Sequence, residues 1–95
     1  MISLSDERLI AHHCAGQPGA MDMLLNRYQN RVFQFVIWKT GASKTDAEDL
    51  AQEVFLQVFR SAGNFGNNSR FRTWLYSVAG NVCRKWIRTQ SRRRK

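Results

Sequence analysis

The sequence predicts an all-α domain, a compact bundle of four helices. Apolar residues recur at intervals of three and four nearly throughout the chain, and no stretch alternates as a half-buried strand would. A length of 95 residues suits one domain with one small core. A hydrophobic content of 43% favours a folded chain over a disordered one.

The first two helices are delimited by capping residues and glycines. The first is expected at about 6–15, with Ser5 as its N-cap and Gly16 after its end. The second is expected as one helix over about 20–40, which Gly41 terminates.

The second helix carries more apolar surface than one face can hold. Its main stripe comprises Met21, Leu24, Leu25, Tyr28, Val32, Phe35 and Val36. Phe33, Ile37 and Trp38 lie off this stripe and need cover from another helix or from a partner. Cover by a helix of the same core is favoured.

The third helix has the clearest start signal. In "TDAE", Thr45 can cap the helix and Glu48 can reach back to complete a capping box. The helix is expected to continue to about Ala62. Its predicted core face comprises Ala47, Leu50, Ala51, Val54, Phe55 and Val58.

The fourth helix follows the turn-forming loop "GNFGNNS". Asn68 or Ser69 is its predicted cap, it should reach at least Arg88, and the "SRRRK" tail at 91–95 is expected to be frayed. Its predicted core arc comprises Phe71, Trp74, Leu75, Val78, Ala79, Val82 and Trp86.

Charge is divided unevenly along the chain. Residues 1–53 hold five Lys or Arg and seven Asp or Glu, a balance of −2, whereas residues 54–95 hold ten Lys or Arg and no acid, a balance of +10. This asymmetry indicates two surfaces with different partners. A nucleic acid is the favoured partner of the basic half, and a membrane surface is the less favoured alternative.

Cysteine and histidine usage indicates neither a disulfide framework nor a metal centre. Cys14 and Cys83 are far apart without a CxxC motif, which favours a reduced cytoplasmic protein. His12, His13 and Cys14 are consecutive and so point to different sides of a helix. No metal or other cofactor, no export signal and no membrane insertion are expected.

One face of the third helix lies opposite its core stripe. It comprises Asp49, Gln52, Glu53, Leu56 and Arg60. An exposed Leu56 within a polar rim has the form of a small docking patch, and an ordinary solvated face is an equally weighted alternative.

A basic stripe runs along the fourth helix without any carboxylate. It comprises Arg70, Thr73, Ser77, Asn81, Arg84 and Arg88. Guanidinium and hydroxyl groups suit phosphates, and the Asn81 amide can read a base edge. Trp74 at the border of the stripe and Phe65 on the preceding loop could stack unpaired bases or simply plug the core.

The motifs "EDLAQEVFLQVFRSAGNF" and "RFRTWLYSVAGN", preceded by "LLNRYQNRVFQFV", resemble region 2 of bacterial sigma factors. The resemblance is to the extracytoplasmic-function (ECF) branch of the sigma-70 family and covers about 9–88. It implies a non-enzymatic protein that initiates transcription with RNA polymerase. In that family a second helical DNA-binding domain follows, so residues 1–90 are expected to be the region 2 domain and 91–95 the start of a linker; a reduced protein without that second domain is the less favoured alternative.

The resemblance also implies roles for both faces. Asp49, Gln52 and Glu53, with Leu56 and Arg60 nearby, would bind a coiled coil in the clamp of the largest polymerase subunit. The loop and fourth helix would bind and melt the minus-ten element through its non-template strand. In that segment, Phe65 and Asn81 match a pocket for a flipped base, beside Arg70, Arg72, Thr73, Trp74, Ser77, Arg84 and Arg88.

The same residues allow two alternative functions, and the resemblance also implies a regulator. A duplex-binding repressor or nucleoid protein would explain the basic face without polymerase, and a protein-interaction module would explain the exposed apolar residues. Family members are commonly inhibited by anti-sigma factors, for which the candidate contacts are Phe33, Ile37, Trp38 and Leu56.

Overall fold

The computed structural model describes residues 4–66 and 69–93, and every regular element in these ranges is helical. The elements are α1 (Asp6–Cys14), α2 (Ala20–Asn26), α3 (Gln29–Thr40), α4 (Lys44–Ser61) and α5 (Phe71–Arg93), with a 3-10 turn at Ala62–Asn64. The all-α prediction is confirmed, but these ranges contain five α-helices where four were expected.

The predicted second helix is broken into α2 and α3 at Arg27 and Tyr28. Tyr28 has φ −114° and ψ 0°, and α3 begins after it. The Tyr28 hydroxyl donates to the Asp6 carboxylate of α1, and Arg27 pairs with that carboxylate at 2.9 Å. In helical geometry consecutive side chains leave the backbone about 100° apart, and at this junction both of them reach the same Asp6 carboxylate.

The start of α4 differs from the predicted capping box. Gly41 ends α3 at φ 65°, as expected, and the chain re-enters a helix after only two more residues. Ser43 is the N-cap, and its hydroxyl accepts from the Asp46 amide at 3.2 Å. The assignment of the cap to Thr45 is therefore wrong, because Ser43 is the first hydroxyl residue after the turn and already lies in extended backbone.

The start of α5 is capped from another helix. The Arg70 carbonyl accepts the first intrahelical bond from Trp74, and the Glu7 carboxylate of α1 accepts from the Phe71 amide at 2.7 Å. The predicted cap at Ser69 is wrong, since Ser69 lies outside the N-cap position and Glu7 supplies the acceptor; Asn68 is outside the described residues. At the other end α5 continues through Arg93, where fraying was expected from Ser91.

The core is one cluster to which all five helices contribute: α3, α4 and α5 pack against one another, and α1 packs with α2 and contacts α5. Its largest fully buried side chains are Leu9, Leu24, Val32, Val36, Val54, Val58, Phe71, Leu75 and Cys83. The buried side chains within 4–66 and 69–93 are hydrophobic, and they include Tyr28, whose hydroxyl is hydrogen-bonded to Asp6. Most of the polar chemistry of this part of the chain is therefore at its surface.

Six predicted core residues are only half-buried. They are Leu25, Phe35, Phe55, Trp74, Val78 and Trp86. Each packs against the edge of the core and retains an exposed portion, because a bundle of this size has too little interior to enclose every apolar residue.

Candidate nucleic-acid interface and docking surface

The predicted docking patch lies on the outer face of α4. Asp49, Gln52 and Arg60 are exposed, and Leu56 is 46% exposed between them. Glu53 is half-buried, and its carboxylate accepts from the Gln57 amide at 3.0 Å. This hydrogen bond holds Glu53 against its own helix, so the rim of the patch is formed mainly by the other three polar residues.

Phe59 extends this patch and was not among the predicted site residues. Its side chain is 54% exposed, and it lies one turn beyond Leu56. The His13 ring of α1 lies 5.1 Å from the Phe59 ring, centroid to centroid. The spacing of three residues from Leu56 was the available signal, because residues at i and i+3 share a helix face.

A groove between α3 and α4 adjoins the patch. Its volume is about 390 Å³, and it is lined by Gln29, Phe33, Glu48, Asp49, Ala51, Gln52 and Phe55. Phe33 therefore shares a groove with Asp49 and Gln52. Trp38 lies elsewhere on α3 and is 77% exposed, so cover by the core, the favoured expectation, is wrong for this residue.

The predicted basic stripe is exposed along α5. Arg70, Thr73, Ser77, Asn81, Arg84 and Arg88 are all accessible to solvent. Within this stripe the Arg84 guanidinium donates to the side-chain carbonyl of Asn81. The ion pair found among residues 4–66 and 69–93 joins Arg27 to Asp6, so in that part of the chain no carboxylate neutralises the cations of the stripe.

An aromatic cluster lies at the N-terminal end of the stripe. The half-buried Phe65 ring is 5.4 Å from the Trp74 ring and 6.1 Å from the Phe71 ring. Trp74 is half-buried and packs against the core with part of its surface. Asn81 lies seven residues after Trp74, about 10 Å further along the helix axis. The structure thus joins Phe65 to Trp74 and places Asn81 two turns away.

Arg72 is not part of the stripe. It is exposed, but it faces Tyr28 at the junction of α2 and α3. Burial raises the pKa of the Tyr28 hydroxyl, the hydrogen bond to Asp6 raises it further, and Arg72 opposes these effects. Arg70 lies just before α5 and Arg72 two residues later, so at about 100° per residue their side chains point to nearly opposite sides.

Residues 4–66 and 69–93 lack two other kinds of feature. No group of three or more His, Cys, Asp or Glu residues there could hold a metal ion. No helix in the same ranges is both long enough and apolar enough to cross a membrane.

Comparison with known proteins places this geometry in a family. The family described as Sigma-70 region 2 matches residues 24–93. The chain is 34% identical over 90 residues to the ECF RNA polymerase sigma-E factor of Haemophilus influenzae, which aligns 95% of this chain with 47% of that protein. It is 32% identical over 88 residues to the RNA polymerase sigma-H factor of Pseudomonas aeruginosa, which aligns 93% of this chain with 45% of that protein.

A solved structure shares the fold. It is an NMR structure of an engineered region 2 of sigmaE in complex with GTAAAA, and it matches with a TM-score of 0.85 and 32% identity over 97% of each chain. The chain spans about half the length of the curated relatives it matches. With a family match over residues 24–93 and this shared fold, the chain belongs to the sigma-70 region 2 family.

Proposed function

We propose that this chain is the region 2 domain of an ECF-type sigma factor, which binds core RNA polymerase and the non-template strand of the minus-ten element to initiate transcription. The observation that carries the proposal is the separation of an apolar docking patch on α4 from an uncompensated basic stripe on α5. The chain acts in the cytoplasm by binding, while the polymerase carries out the chemistry. The ECF names of the sigma-E relatives support this assignment.

The α5 face binds the melted strand. Extruding a base from a duplex costs a few kcal/mol, which contacts available only after melting must offset. Stacking on Phe65 and Trp74 contributes about 1–3 kcal/mol per base. The Asn81 amide reads a base edge, and Arg70, Thr73, Ser77, Arg84 and Arg88 hold the backbone. Arg72 contributes from the adjoining side of α5.

The α4 face binds the clamp coiled coil of the largest polymerase subunit. Leu56 is the apolar centre of this contact, Phe59 enlarges it, and Asp49, Gln52 and Arg60 form its rim. Glu53 supports the surface through its hydrogen bond with Gln57.

An anti-sigma factor contacts Phe33, Ile37, Trp38 and Leu56. Phe33 supports an exclusion mechanism, since it lines the same groove as Asp49 and Gln52. A regulator seated on Phe33 would therefore cover part of the polymerase surface.

Residues 1–90 act as the region 2 domain, and 91–95 begin the linker to a second DNA-binding domain. The continuation of α5 through Arg93 supports a helical start to that linker. The half-length match to the curated relatives agrees with such an arrangement.

Binding to the two partners tests the proposal. Fluorescence anisotropy is measured with labelled single-stranded GTAAAA, with its duplex, and with core RNA polymerase. Binding to core polymerase and a preference for the single strand are expected. Absence of core binding would overturn the proposal, and tighter binding to duplex without polymerase would instead indicate a repressor or nucleoid protein.

A further inference from the structure

A second aromatic surface lies in a groove between α3 and α5. The groove has a volume of about 560 Å³ and is lined by Asn30, Arg31, Gln34, Phe35, Trp38 and Tyr76. The Phe35 ring lies 5.2 Å from the Tyr76 ring, edge to face, and 6.2 Å from the Trp38 ring. Three rings therefore form a continuous floor, at one end of which Trp38 is 77% exposed.

Cations lie at both ends of this floor. Arg31 lies 5.8 Å from the centroid of the Tyr28 ring, and Arg72 faces the Tyr28 hydroxyl. At the other end the Lys39 ammonium is 5.8 Å from the centroid of the Trp38 ring. The groove lining contains no carboxylate, and the nearby Asp6 is already engaged by Arg27 and Tyr28. The groove is therefore complementary to an anion that carries flat apolar groups.

The groove is continuous with the basic stripe. Tyr76 lies three residues after Thr73 and one before Ser77, so its ring emerges beside the row of stripe residues. A strand bound along α5 can thus pass from the stripe over Tyr76 onto Phe35 and Trp38.

We infer that this groove is a second stacking site for single-stranded nucleic acid, in which an unpaired base lies on Trp38 and the neighbouring phosphates are held by Arg31 and Lys39. Stacking platforms flanked by cations bind unpaired bases without sequence preference, because every base has a π-face. The inference rests on the proposed binding of single-stranded DNA by α5. An acidic peptide with aromatic residues is the rival occupant, and continuity with the stripe favours nucleic acid.

Binding at this site can be distinguished from binding at the α5 site with two kinds of oligonucleotide. The first is GTAAAA alone. The second is GTAAAA with about four thymidines added at one end or the other, since about four nucleotides is near the smallest length that such surfaces bind. The extended form should bind the wild-type chain more tightly. Trp38→Ala should remove that gain, a loss of about 5- to 140-fold, and leave the affinity for GTAAAA unchanged.

Matched variants complete the test. Trp38→Phe should retain most of the gain in affinity that the extension gives. Lys39→Ala should lower this gain, whereas Lys44→Ala, which removes an exposed cation of α4, should leave it unchanged. If GTAAAA itself does not bind, the proposed function fails. The second site is refuted if GTAAAA binds but its extension does not raise the affinity, or if Trp38→Ala binds the extended strand as tightly as wild type does. Binding of an acidic aromatic peptide that Trp38→Ala abolishes, with no effect of Trp38→Ala on the extended strand, would also overturn it.

Discussion

The Glu7 carboxylate accepts a hydrogen bond from the Phe71 backbone amide at 2.7 Å, across 64 residues of sequence. Glu7 lies in the first turn of α1, and Phe71 is the first residue of α5. A side chain of α1 thus accepts from one of the backbone amides at the N-terminus of α5 that have no acceptor within their own helix. Because a carboxylate also complements the positive end of the helix dipole, this contact fixes where α5 begins.

Removal of this cap should destabilise the domain. Glu7→Ala is expected to lower the free energy of unfolding by about 0.5–2 kcal/mol, the usual cost of losing an N-cap acceptor. Glu7→Gln, which keeps an acceptor without the charge, should lose less. Urea denaturation followed by circular dichroism measures both. Glu48→Ala, at an exposed glutamate on α4, is the control, and an equal loss there would contradict the capping role.

Tyr28 should make stability sensitive to alkaline pH. Its pKa is raised in the folded state by burial and by the hydrogen bond to Asp6, so folding favours the protonated phenol. The stabilisation that the protonated Tyr28 phenol gives to the folded state is fully present below the unfolded pKa of about 10. It is lost as the pH rises through the higher pKa of the folded state. Urea denaturation between about pH 8 and pH 11 should show a smaller decline for Tyr28→Phe than for wild type. Equal declines would contradict the assignment.

Charge on the α4 patch should block polymerase binding without unfolding the chain. Leu56→Glu, Phe59→Glu and Asp49→Arg are each expected to weaken binding to core polymerase by tenfold or more, roughly the effect of losing a central contact. Circular dichroism should remain that of wild type, because all three side chains are exposed. Met23→Glu, at a methionine that is 57% exposed on α2, should leave polymerase affinity unchanged.

A stripe arginine should contribute to the salt dependence of DNA binding. Arg84→Ala is expected to weaken binding to single-stranded GTAAAA and to reduce the slope of log affinity against log salt by about 0.7, the value for one contacted phosphate. Anisotropy titrations at several salt concentrations give this slope. An unchanged slope would show that Arg84 serves only its hydrogen bond with Asn81.

The all-helical class and most core positions could be predicted from the spacing of apolar residues along the chain. The period of the apolar residues indicated helices, and Val32, Val36, Val54, Val58 and Leu75 are all fully buried. The exposed face around Leu56 and the stripe on α5 followed from the same period, because angular position on a helix depends only on residue spacing.

Features that depend on distant residues could not be predicted in this way. Tyr28 at the break is hydrogen-bonded to Asp6, 22 residues earlier, and Phe71 at the start of α5 is hydrogen-bonded to Glu7, 64 residues earlier. The cap of α4 was missed for a local reason, since Thr45 and Ser43 are both competent caps by composition and the short turn after Gly41 places Ser43 at the N-cap position. Residue spacing already excluded Arg72 from the stripe, but only the structure shows that it faces Tyr28.

The sequence by itself determined the helical class, the division of charge and the motifs of the sigma-70 region 2 family, because each resides in residue type and spacing. The tertiary structure alone decided that Phe33 shares a groove with Asp49 and that Trp38 and Tyr76 share another. Such neighbours belong to different helices. Their proximity depends on how the helices pack, which no spacing along one helix encodes.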